Sequence, residues 1–122
     1  MDIGALGENI AFRYLLSAGY KVIARNYREG FDEIDIIGID SSNKLIFFEV
    51  KSRLIKNEHF IFFTPEDNFS FSKSRRIIRI CQKFVAKHPF FIKDDIGWQI
   101  DLIAISLKGS YFYDLKHYKN CV

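Results

Sequence analysis

Charged residues interrupt runs that otherwise suit a sheet interior, and this narrows the folds open to the chain more than any other feature. In "EIDIIGID" (33–40) and "KLIFFEVKSR" (44–53), Glu33, Asp35, Glu49 and Lys51 stand among isoleucine, phenylalanine and valine. Taking an unpaired carboxylate or ammonium out of water costs several kcal/mol or more. A fold that uses these runs as strands must give the charges a ligand, an ion or water.

The neighbouring sequence supplies the elements. Ile3, Leu6, Ile10, Ala11, Tyr14, Leu15 and Ala18 recur at helical spacing and stop at Gly19, which suits a left-handed cap. "YKVIARNY" (20–27), "DEIDIIGI" (32–39) and "KLIFFEVKSRL" (44–54) predict three strands, and the turn-rich "DSSN" makes the last two an antiparallel hairpin. Residues 55–71 show no period and read as a loop. Ile77, Ile78, Cys81, Phe84 and Val85 predict a second helix over 73–88, ended by Pro89. "WQIDLIAISL" (98–107) and "SYFYDLKHY" (110–118) predict two last strands. The order αβββαββ describes an α/β sandwich, one domain over 1–122, long enough for a single core.

Composition removes several alternatives. Apolar residues at 48%, with 16% aromatics, exclude a disordered chain. Cys81 and Cys121 lie far apart with no CxxC, so neither a disulfide framework nor a zinc site is expected. "MDIGALGEN" lacks a signal-peptide pattern, and no apolar run approaches the roughly 18 residues of a membrane span. A cytoplasmic location without membrane contact is the expectation. His59, His88 and His117 share no ligand spacing, and there is no Gly-rich phosphate loop. The net charge of +3 is unevenly spread: Glu29, Asp32, Glu33, Asp35 and Asp40 crowd one segment, and Lys73, Arg75, Arg76, Arg79, Lys83 and Lys87 another. An acidic pocket beside a basic face suits a metal-dependent enzyme acting on a polyanion, and equally suits an ordinary surface.

Strand alternation sharpens the first of these. It sets Asp35 opposite Ile34 and Ile36, and places Glu49 and Lys51 together opposite Phe48 and Val50. Paired through the hairpin, Asp35 and Glu49 come close on one face, where two carboxylates suit Mg²⁺ and Lys51 stands beside the ion. Phosphodiester hydrolysis needs such a set. The plain alternative is a surface hairpin whose charges face water; Phe47, on the same face as Glu49, argues for a covered face. Arg76, Arg79, Lys83 and Lys87 share one side of the second helix, either for backbone phosphates or as a solvated face. Arg25, Asn26, Arg28 and Arg53 fall nearer the acids and are stronger candidates for phosphate contacts. Glu8 flanks the first helix's apolar stripe, where solvation is the commoner explanation, and Asp101 is as well suited to a structural hydrogen bond as to a site.

"GALGENIAFRYLLSAGYKVIARNYR", "EIDIIGID", "LIFFEVKSR" and "KSRRIIRI", in that order, resemble the YraN-like endonuclease-like family, whose pattern runs GxxGE, AxxYLxxxGY, NxR, EID, VEVKxR and then a lysine before a helix. The match spans nearly the whole chain. This resemblance implies the PD-(D/E)xK, restriction-endonuclease-like fold, with an αβββαβ core and a mixed central sheet flanked by helices, similar to archaeal Holliday-junction resolvases. It implies a nuclease using Mg²⁺ or Mn²⁺ on nucleic acid, DNA first, with branched DNA among the substrates, and it suggests a homodimer. Carried over, Asp35, Glu49 and the Val50 carbonyl are metal ligands, Lys51 is the catalytic lysine, Glu8 is the helix-one glutamate beside the metal, and Lys73 is the lysine opening helix two. A non-catalytic nucleic-acid-binding module or an interaction subunit on the same fold is the alternative. Asp32 replaces the family's glycine before EID, Gln99 replaces a basic residue before Asp101, and residues 54–70 follow the pattern only loosely.

Overall fold

A computed structural model describes residues 2–55, 71–93, 95–108 and 112–121, with the backbone alone for 71–73. Its elements are α1 (Ile3–Ser17), β1 (Lys21–Glu29), β2 (Asp32–Ile39), β3 (Leu45–Leu54), α2 (Phe71–Lys87), a short 3-10 turn (Pro89–Phe91), β4 (Trp98–Lys108) and β5 (Phe112–Tyr118). Pro89 opens that turn instead of simply ending the helix, a detail that periodicity does not carry. The expected loop over 55–71 and the start of the last strand fall largely outside the described residues.

Each helix end has a local cause. Asp2 caps α1 by accepting the Ala5 N–H at 3.0 Å. At the other end Gly19, at φ +92°, takes the left-handed position, and the Tyr20 N–H reaches the Leu15 carbonyl at 3.0 Å.

The five strands form one sheet in the order β1-β2-β3-β4-β5. β1–β2, β2–β3 and β4–β5 are antiparallel and β3–β4 is parallel, so the sheet is mixed, with α2 in the connection between its parallel pair. Alternation along β3 divides the core. Ile46 and Phe48 pack with Ile10, Ala11 and Leu15 of α1, while Leu45 and Phe47 pack with Ile77, Ile80, Cys81 and Phe84 of α2. A sheet buried on both faces explains why β2 and β3 read as continuous apolar runs. This is the restriction-endonuclease-like αβββαβ arrangement, extended by β5. Among the described residues no helix is long and apolar enough to cross a membrane.

One expectation of strand geometry fails at the point that matters. Simple alternation puts Ile34 and Ile36 on the same face; instead Ile34 packs toward α2 and Ile36 toward α1. β1 pairs Arg25 with Ile36 and Tyr27 with Ile34, but Asn26 and Asp35 between them are unpaired in the register, and Asn26 has φ +53°. The left-handed residue lets the hairpin turn over locally. Asp35 therefore lies at a break in the strand pattern, not on a regular face.

Candidate metal centre at the fork between β2 and β3

The β2–β3 ladder runs from Ile39↔Leu45 to Ile36↔Phe48 and ends there. Past it the strands part, and the Asp35 carboxylate enters the gap: its Oδ2 accepts the Val50 N–H at 2.8 Å. In an extended strand the N–H and C=O of one residue point to the same side, so the Val50 carbonyl faces the fork as its N–H does.

The electrostatics identify who else is there. Burial, with the Glu49 charge next, pushes the Asp35 carboxyl up to about 8; Glu8 and Glu33 add to the rise, and the Val50 N–H opposes it. Alternation puts Glu49 with Phe47 on the α2 side of β3, where its charge also raises the buried Cys81 thiol. Lys51, two residues on, shares that side and is exposed.

Glu8 reaches the fork because α1 lies unusually close to β3. A Cβ on Gly7 would overlap the Ser52 side chain, so only glycine allows this approach. Turned to face its neighbours, the Asn26 amide donates to Glu8 Oε2 and Glu33 Oε1, both at 3.2 Å. Glu33 is the member of this group that the strand pattern does not single out; its standing beside Asp35 in the EID run is the signal it leaves.

Several expected phosphate contacts are placed differently. Arg25 turns to α1, where its Nη2 donates to Asn9 Oδ1 at 3.0 Å and its guanidinium lies 4.7 Å above the Phe12 ring. Arg28 sits 3.6 Å from Glu33 on the surface. Arg53 is half-buried near the end of β3. Arg79 grips Asp32 with two bonds, Nε to Oδ2 at 3.0 Å and Nη2 to Oδ1 at 3.1 Å, which commits its guanidinium to the β1–β2 hairpin although it stays exposed. The same pair holds the Asp32 carboxyl below the usual range, so Asp32 is a partner for α2 and not a loose acid beside the site. Lys87 likewise meets Glu29 at 2.7 Å. Arg76 and Lys83 are exposed, and Lys73 falls in the first turn of α2 with its side chain outside the described residues.

Asp101 resolves as a structural group. Fully buried, it accepts from Gln99 Nε2 at 2.7 Å, bonds His117 Nε2 at 2.7 Å and accepts the Asn120 N–H at 2.9 Å. The second nitrogen of His117 meets the Tyr14 hydroxyl at 2.7 Å, tying α1 to β4 and β5. Gln99, where the family pattern has a base, thus supplies a neutral donor.

The model of "Uncharacterised protein family UPF0102" matches residues 7–105. The chain belongs to the UPF0102 family. That is the kinship implied by the GALGE, EIDII and FFEVKSR segments. A UPF0102 protein of Clostridium botulinum is 33% identical over 114 residues, covering 90% of this chain and 86% of the relative. One from Desulforamulus reducens is 31% identical over 121 residues, covering 98% of this chain and 94% of the relative. Among solved structures, Pyrococcus furiosus SfsA in complex with Ca²⁺ aligns with a TM-score of 0.43 at 15% identity, over 92% of this chain and 62% of that one.

The donor chemistry of this UPF0102 member fits a hard divalent cation. Among the described residues no group of three or more His, Cys, Asp or Glu side chains stands ready to hold a metal. Mg²⁺ does not require one, since it commonly takes one or two carboxylates and keeps several waters. Asp35, Glu49 and the Val50 carbonyl are the atoms that would hold it, with Glu8 as a nearby charge.

Proposed function

We propose that the chain is a metal-dependent nuclease that hydrolyses phosphodiester bonds in DNA, branched DNA included, with Mg²⁺ or Mn²⁺. The observation that carries this reading is the Asp35 carboxyl, half-buried in the fork and pushed up to about 8 by burial and by Glu49. A fold that holds two carboxylates together in this way loses stability, and a divalent cation would restore it. Once bound, the ion would lower the pKa of water and polarise the phosphoryl group. The chain's own part is to hold the ligands at the fork, to offer the exposed Lys51 ammonium to the negative charge that builds on phosphoryl oxygens, and to bring phosphates in along Arg28, Arg53, Arg76 and Lys83. The restriction-endonuclease-like architecture and the family support the same class. A cytoplasmic location and a homodimer, the latter implied by the sequence resemblance to the resolvases, belong to the same reading.

A second reading, a nucleic-acid-binding module or interaction subunit without catalysis, draws on the absence of a ready-made three-ligand cluster among the described residues. Labelled junction, duplex and single-stranded DNA, each with Mg²⁺, Mn²⁺ or EDTA, separates the two. Nuclease action is expected as cleavage by the parent that EDTA and Lys51→Ala both abolish. Tight binding with no cleavage in either metal would transfer the assignment to the second reading.

A further inference from the structure

Two residues, Gly30 and Phe31, make the turn between the paired positions Glu29 and Asp32. The first place of such a turn is left-handed and favours glycine. Gly30, at φ +62°, meets that need, and the second place, which is not left-handed and is open to most residues, is taken by a phenylalanine that is fully exposed. Nothing in the local backbone calls for an aromatic ring there, and in water the ring forgoes the stabilisation that burial would bring.

The ring stands on a braced base. Glu29 is held by Lys87 at 2.7 Å and by the Tyr27 hydroxyl at 3.0 Å, while Asp32 is held by both bonds from Arg79. Arg79 and Lys87 lie about 12 Å apart along α2 at 1.5 Å per residue, so the hairpin tip straddles two turns of that helix. Arg76 and Lys83 lie close enough for their charges to act on Asp32, and Lys83 also acts on Glu29. Alongside runs an open groove of about 640 Å³ lined by Arg75, Arg76, Ile78, Arg79 and Gln82. The outcome is a bare aromatic ring at the tip of a braced turn, next in sequence to Asp32 and the cations that act on it.

We infer that Phe31 is a stacking platform for an unpaired base, with Arg76 and Lys83 holding the flanking phosphates. This rests on the nuclease reading and gives its substrate a class: nucleic acid with a single-stranded stretch beside the cut. The chemistry favours this occupant over a protein. An aromatic ring with cations along one side is how proteins bind single strands, by base stacking and backbone charge together. An apolar protein pocket would have no use for the cations. A paired base offers no free face to the ring unless the duplex is first unstacked.

The test measures affinity in EDTA for three oligonucleotides carrying 2-aminopurine: a single strand, a duplex with a single-stranded flap, and a fully paired duplex. Phe31→Ser should weaken binding to the first two by at least about fivefold and change the duplex by less than about twofold. Phe31→Trp should retain the parent's affinity, with its indole fluorescence quenched on binding. Because the ring is fully exposed, the thermal midpoint should hold in both variants. Parent-like binding by Phe31→Ser, or an equal loss on all three DNAs, would overturn the inference and leave the nuclease reading standing. A parent that binds none of them would overturn both. A dimer seen in sedimentation and abolished by Phe31→Ser would assign the tip to a second copy of the chain and also overturn it.

Discussion

Two carboxylates show how much surroundings decide. Asp101, fully buried, is met by three donors, whereas Asp35 receives one N–H and has acids for company. Because the Asp35 carboxyl is raised from its ordinary value of 3.8 to about 8, the folded chain keeps a proton across that window that the unfolded chain has released. Stability of the metal-free protein should therefore fall as pH rises from about 4 to about 8. Asp35→Asn should flatten this slope and raise the thermal midpoint at pH 8, by about 4 °C for each kcal/mol recovered. It should also remove the stabilisation that Mn²⁺ gives the parent. Melting curves at stepped pH, with EDTA and with Mn²⁺, check each part, and an unchanged slope would take Asp35 out of the strained pair. Asp101→Ala, by contrast, strands its donors and should cost roughly 3 kcal/mol or more in urea unfolding. Nuclease activity per folded molecule should survive that change.

At the scale of elements, the approach of α1 to β3 brings Glu8 to the fork. Gly7 permits it, and the overlap that an added Cβ would make with Ser52 gives a direct test. Gly7→Ala should destabilise by about 1–3 kcal/mol as the helix moves outward. Mn²⁺ should then stabilise the variant less than it does the parent, which titration by differential scanning fluorimetry would show. Equal stability and equal response to metal would mean that α1 has slack where none is drawn. The helix itself was plain in the sequence, from the apolar spacing that begins at Ile3 to Gly19 at its end, because both signals act within a turn or so of backbone; the Asp2 cap came with the structure. The contact that makes Gly7 necessary was not plain there, since Ser52 belongs to a strand 45 residues further on.

For the molecule as a whole, the question is which cations face outward to a polyanion. Arg76, Arg79, Lys83 and Lys87 of α2 are all exposed, but Arg79 and Lys87 are tied by ion pairs to the β1–β2 hairpin, which leaves Arg76 and Lys83 as the candidates for phosphate. Replacing Arg76 and Lys83 together by glutamine should weaken DNA binding and flatten its dependence on log salt by about 1.8, if each holds one phosphate. Arg79→Gln should leave that slope alone and lower the thermal midpoint only slightly, because the ion pair it breaks is exposed. Fluorescence anisotropy across a salt series distinguishes them. A slope that responds to Arg79 and not to the other two would reverse the assignment of the surface.

Element order, strand and helix spans, the β2–β3 hairpin and the family were determined by the sequence on its own. Each rests on patterns a few residues long: period-two and helical spacing, a glycine cap, a turn, a motif. What the tertiary structure decided lies between segments. The fork that takes in Asp35 depends on where the β2–β3 ladder ends and on a left-handed Asn26 in a third strand. The pairing of Arg79 with Asp32 joins residues 47 apart, and the Tyr14 to His117 bond joins residues 103 apart. Local spacing says which face a side chain prefers, but register and helix approach decide what it meets there. Charges, whose energies depend steeply on neighbours and burial, are therefore the residues whose surroundings only the folded chain could supply.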